Sequence, residues 1–161
     1  MKDQKNMTKL IKIAIFGFLI SVSLDTIYAE SNQLIYKQIE CSIQSNTKEY
    51  QDIFLDLADT EQKRSHGLMN REDIKPDSGM LFIWNDRQIR NFWMKNTYFN
   101  LDLFFLNNKG EIIEIYKNAR AFDETNIKSQ NKVNFVIELK SGKYPLLLGD
   151  KFNCPFGVLL K

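Results

Sequence analysis

The sequence predicts a mostly β, β-rich α+β fold: a compact single-domain antiparallel sheet or barrel with one or two short helices. Three observations point there. About eight short runs alternate or are apolar throughout, as strands do. Turn residues separate them, and only one segment has a convincing helix start. The strands follow one another without the regular helices that repeated βαβ units would need.

The first 29 residues are read separately. Lys2, Lys5, Lys9 and Lys12 precede the apolar run Ile13–Leu24, and Ala29 stands before Glu30. This is the layout of a secretory signal peptide, and the run is short for a membrane-spanning helix. The expectation is a signal peptide over 1–29 and a single domain over 30–161, exported to the periplasm or secreted. The alternative is an uncleaved segment that anchors the chain at its N-terminus. Without residues 1–29, which hold four lysines and two aspartates, the 22 basic and 20 acidic residues fall to 18 of each. The domain is then formally neutral, with no basic footprint for nucleic acid. The expected form is a monomer. Cys41 and Cys154 are the two cysteines, and an oxidising compartment favours a bond between them, with two unpaired thiols as the alternative.

Along the domain, Leu34–Ile43 reads as a strand and Ser45–Glu49 as a polar turn. Ile53–Ala58 alternates, with Ile53, Leu55 and Leu57 on one face. Asp59-Thr60-Glu61-Gln62 has capping-box form with Asp59 as the cap, so a short helix is expected from Thr60 to about Met69, closed near Gly67. Pro76–Gly79 is a turn. Met80–Trp84 reads as a short strand, Asn85–Gln88 as the turn back and Ile89–Lys95 as the next strand. Leu101–Leu106 is the most apolar strand. Asn107-Asn108-Lys109-Gly110 is a hairpin loop returning into Glu111–Ala119. Arg120–Asn131 is polar. Lys132–Leu139 is a further alternating strand, Tyr144–Leu148 a helical turn, and Phe156–Leu160 a closing strand.

Between Gly79 and Ile115, polar groups interrupt an otherwise apolar stretch: Arg90, Lys95-Asn96-Thr97, Asn100 and Asp102. An aspartate within a strand is costly when buried without a partner. For Asp102 the available partners are Arg64 and Lys95, either as an internal salt bridge or as part of a site. Phe92 and Trp93 are adjacent and face opposite sides of a strand, which places one in the core and offers the other to a pocket. His66 is the only histidine, which excludes a multi-histidine zinc site. No nucleophile elbow, phosphate loop or C-x-x-C pair is present.

Three ordered segments are specific. They are Arg64-Ser65-His66-Gly67-Leu68-Met69, Gly79-Met80-Leu81-Phe82, and Phe92-Trp93-Met94-Lys95-Asn96-Thr97. In this they resemble the DUF192 family of small, often exported proteins, which repeat R-x-x-G-L-M, G-M-L-F and F-W-M-K-N-T elements. The likeness covers roughly Phe54 to Asp150, with Glu138-Leu139, Gly142 and Gly149-Asp150 also matching. It implies a single β-rich domain and carries no established activity. The residues themselves point to a non-catalytic module with no cofactor that binds a small polar or anionic ligand or a peptide. Arg64, Arg71, Trp93, Asn96, Thr97 and Asp102 form or support that site. A hydrolase-like enzyme using Asp102, Lys95 and His66 is the first alternative. A Cu(I) site built from Met69, Met80 and Met94, or a structural envelope role, is the second.

Overall fold

The structure is a computed structural model that describes residues 34–45, 48, 50 and 52–159. The expected signal segment lies outside the described residues. The fold occupies the compact unit that starts at Tyr36. Its elements are β1 (Gln38–Gln44), β2 (Ile53–Ala58), α1 (Glu61–His66), β3 (Ser78–Gln88), β4 (Asn91–Phe92), β5 (Leu101–Leu106), β6 (Ile112–Ala119), β7 (Ile127–Lys128), β8 (Val133–Lys140), β9 (Lys151–Asn153) and α2 (Phe156–Leu159). The fold is mostly β, as the sequence predicts.

Seven strands form one curled sheet in the order β6-β5-β8-β3-β2-β1-β9, and β4 pairs with β7 beside it. The sheet is mixed, not purely antiparallel, because β2 and β3 run parallel. A parallel pair needs a crossover, and α1 with the loop after it supplies one. The curl brings the two edges together at one end. Glu111 bridges to Lys151, Ile112 N–H donates to Asp150 O at 2.8 Å, and Phe152 N–H donates to Gly110 O at 2.9 Å. Gly110 has φ 80°, and a Cβ there would lie 2.2 Å from Phe152 O. The hairpin glycine therefore permits both the turn and the meeting of the edges. A disulfide between Cys41 and Cys154 fastens the same region.

The central strands are buried on both faces, which explains their near-continuous apolar runs. Leu81, Ile83, Phe104, Ile137 and Leu139 belong to one apolar cluster. Their strand neighbours Met80, Phe82, Leu103, Phe105 and Val136 belong to the other. Phe82, Phe104, Phe105, Phe135 and Phe152 are among the largest fully buried side chains, each worth roughly 1.5–3 kcal/mol of burial.

Several boundaries differ from expectation. The first strand begins at Gln38, not Leu34. The expected turn at Asn85–Gln88 is the exposed end of one long strand, Ser78–Gln88. These residues are polar because that end faces water, and Arg87 Nε is held by Lys132 O at 2.9 Å. The strand expected over Ile89–Lys95 shrinks to Asn91–Phe92, because the chain turns away where Met94 N–H donates to Asp123 O at 2.9 Å. Thr60, not Asp59, caps α1, accepting Lys63 N–H at 3.2 Å. Asp59 instead pairs with Lys63 Nζ at 3.1 Å. The helix ends at His66, with Gly67 at φ 54° as its cap. Tyr144–Leu148 is not helical. The closing strand is Lys151–Asn153, and Phe156–Leu159 is a helical turn; an apolar run that short has no period to read.

Candidate functional site

A cleft of about 390 Å³ opens between α1 with its following turn and the sheet face that carries Phe82, Leu101 and Glu138. Arg64, His66 and Met69 line it from the helix side, and Asn91, Trp93, Thr97 and Asn126 from the opposite wall. Strand parity decides which sheet residues reach it. On β8, Ile137 and Leu139 pack into one cluster, so Glu138 faces the other way, beside its register partners Met80 and Leu103.

Glu138 is only 4 % exposed. Its carboxyl has no hydrogen-bond or ion-pair partner among the described residues. Burial alone pushes its pKa up to about 8, since loss of water penalises the charged form. Arg64 stands at the cleft with its Nη1 donating to Ile83 O at 2.8 Å. Its guanidinium lies 5.4 Å from the Trp84 ring, which Arg90 also covers at 4.3 Å. Burial, then the Arg90 cation, lowers the Arg64 pKa. Arg90 has Asp86 as its ion pair, whereas Arg64 has none among the described residues.

The Trp93–Thr97 segment is built as a turn. Asn96 has φ 50°, Thr97 Oγ1 donates to Lys95 O at 3.2 Å, and Asn96 O accepts Asn70 N–H at 2.8 Å. That last bond ties the wall to the turn after α1. Trp93 is 50 % exposed at the cleft, and Lys95 Nζ lies 5.6 Å from its ring. Phe92 is buried, edge-on to Phe82, Trp84 and Phe105. The adjacent aromatics thus divide between core and opening.

Of the residues singled out in the sequence, Arg64, Trp93 and Thr97 line one cleft, and Asn96 shapes its wall. Arg71 does not join them: it pairs with Asp56 at 2.7 Å and lies over the Tyr36 ring at 5.2 Å. Asp102 is buried on the opposite sheet face and pairs with neither Arg64 nor Lys95. It accepts from Asn118 N–H at 2.8 Å, Ser141 Oγ at 2.9 Å and Gly142 N–H at 3.2 Å, with Lys117 Nζ at 3.5 Å. Its neighbour Leu101 lines the cleft, so Asp102 must point away. The set Asp102, Lys95 and His66 is therefore not assembled, and of the three only His66 lines the cleft. Met80 and Met94 are core residues, while Met69 lines the cleft. No group of three or more His, Cys, Asp or Glu that could hold a metal occurs among the described residues. Glu138 was available in the sequence as an acid within an apolar strand, the same signal that drew attention to Asp102.

Comparison with known proteins agrees with this architecture. No curated protein matches the chain. The crystal structure of a Sinorhizobium meliloti 1021 protein, described as a proposed transcription regulator, superposes with a TM-score of 0.74 at 30% identity, covering 78% of this chain and 99% of that one. A protein of unknown function from Novosphingobium aromaticivorans DSM 12444 superposes with a TM-score of 0.65 at 26% identity, covering 71% and 84%. The family model of DUF192, described as an uncharacterized ACR, matches residues 41–147. On that match the chain belongs to the DUF192 family.

Proposed function

We propose that the cleft beneath α1 is a non-catalytic binding site for a small ligand, or for a side chain of a peptide, with an apolar body and polar ends. The observation that carries this is the combination of an open, largely apolar cleft of about 390 Å³ with two ionisable groups lining it, Arg64 and Glu138, that have no ion pair among the described residues. Few polar groups set on apolar walls are what fix a ligand's orientation. A catalytic reading has less support. Thr97's hydroxyl is committed to Lys95 O, and His66 shares no hydrogen bond with a nucleophile among the described residues. Export belongs to the same proposal, supported by the signal-like N-terminus and by the Cys41–Cys154 bond.

The test is a thermal-shift screen of amines, carboxylates, sugars and short peptides, repeated on Ser65→Trp. Ser65 is an exposed helix residue that lines the cleft, so an indole there fills the opening without disturbing the core. Compounds that stabilise the protein are expected to lose their effect in that variant. Hits that act equally on both proteins, or no hit from any class, would overturn the reading.

A further inference from the structure

The floor of the cleft holds a group that can be charged and that nothing else in the fold employs. Glu138 lies on β8 between Met80 of β3 and Leu103 of β5. Its register partners Met80 and Leu103, and Phe82, Leu101 and Phe105 on the same face, are apolar. The charged groups that share this face are already paired with one another: Lys140, two residues on along β8, with Asp73 at 2.8 Å, and Asp56 of β2 with Arg71 at 2.7 Å. The groups of α1 that line the cleft and can carry charge are Arg64 and His66, and the opposite wall contributes the neutral Asn91, Thr97 and Asn126. Neither Arg64 nor His66 forms an ion pair with Glu138.

A carboxyl is a costly choice if the floor need only be polar. A glutamine or serine would offer hydrogen bonds without the penalty of burying an ionisable group. The partner that offsets that penalty is a cation placed against the carboxylate, where low dielectric strengthens the attraction. Phe82 and Phe92 also line the cleft, and aromatic faces attract cations. Arg64 and His66 stand on the helix side, so a positive group gains its partner only at the floor.

We propose that Glu138 is the recognition group for a positively charged substituent of the ligand, a primary ammonium or a guanidinium, which seats on the floor of the cleft. This rests on the reading of the cleft as a binding site. The ligand keeps its own protons, the carboxyl gives its proton to solvent, and an ion pair forms between carboxylate and cation. Burial keeps the free carboxyl protonated up to about pH 8, so association at neutral pH releases a proton.

Titration calorimetry with benzylammonium, benzyl alcohol and benzoate, in two buffers of different ionisation heat, tests this on the full chain. Benzylammonium should bind at least about tenfold more tightly than benzyl alcohol, releasing about one proton at pH 6.5 and progressively less as pH rises to 8, below the range where the amine itself loses its proton. Glu138→Gln should remove the preference, so that benzylammonium and benzyl alcohol bind within about twofold of each other. Proton release by the unmodified protein reads the same assignment without the variant. Benzyl alcohol or benzoate binding as tightly as the amine, amine binding without proton release, or a preference that survives Glu138→Gln would overturn the cation assignment and leave the cleft reading standing. Failure of all three probes to bind would overturn both.

Discussion

Asp102 and Glu138 sit one register step apart on adjacent strands and face opposite sides of the sheet: Asp102 is paired with Leu139, and Glu138 with Leu103. Each is a nearly buried acid. The first is surrounded by donors, and the second has none. Two carboxyls within one ladder thus do different things. One ties down the neighbouring strand and the other lines the cleft.

Asp102 faces a point where β6 carries an extra residue, since Leu101 pairs with Ala119 but Leu103 with Tyr116. Its carboxylate secures that bulge through Asn118, whose φ is 55°, and through Gly142. Asp102→Ala strands these donors and is expected to cost about 2–4 kcal/mol in denaturant unfolding. Asp102→Asn, which keeps an acceptor, should cost less. Affinity for a cleft ligand should not change in either folded variant, because the residue faces away. An Asp102→Ala protein within about 0.5 kcal/mol of wild type would contradict this role.

Glu138 makes stability depend on pH in a specific direction. Its folded pKa, about 8, is raised above the ordinary 4.5. Between those values the folded protein keeps a proton that the unfolded chain has lost. Stability therefore falls as pH rises through the window, by about 1.4 kcal/mol per pH unit. Measured against Glu138→Gln, the wild type should lose ground steadily from about pH 5 to pH 8 and then level off. A difference that stays flat with pH would mean the carboxyl is not desolvated.

The Cys41–Cys154 bond joins residues 113 positions apart. The chain-entropy account assigns such a loop about 4–5 kcal/mol of stabilisation. Denaturant midpoints with and without reductant, with free thiols counted, measure it. A fully reduced protein with an unchanged midpoint would show that the bond contributes nothing.

Gly79 and Gly142 separate crowding from backbone conformation. A Cβ at Gly79 would lie 2.3 Å from Glu138 O and 2.5 Å from Leu139 Cδ2, so Gly79→Ala pushes β3 away from β8. It should cost at least about 1–3 kcal/mol and disturb the cleft floor as well. Gly142 has open space around it but φ 75°, so Gly142→Ala should cost about 1–2 kcal/mol and leave the cleft intact. Equal effects of both variants on cleft binding would refute the distinction.

Elements with half-buried alternation, a continuous apolar run or clear turn chemistry were legible in the sequence. Ile53–Ala58 and Leu101–Leu106 match their expected bounds, and the Asn107–Gly110 loop turns where expected. Asn85–Gln88 misled because a strand that runs out into water is as polar as a turn. The site was legible by residue type, not by face. Asp102 and Glu138 give the same signal, an acid in an apolar strand, and only the register between β5 and β8 tells which one meets the cleft. Arg71 was claimed by Asp56, a partner 15 positions away in sequence that composition could not single out.

The earliest and latest strands of the sheet are neighbours: Ser42 pairs with Asn153, and Ile43 with Phe152. On a ribosome, β1 has no companion on that side until the last stretch of the domain has been synthesised. The nascent sheet carries an open hydrogen-bonding edge throughout, which can recruit other chains. Because such distant segments must meet, the closing step is slow relative to local hairpin formation. Any factor that shields the β1 edge during synthesis should therefore raise the yield of native protein more than one that acts on the completed fold.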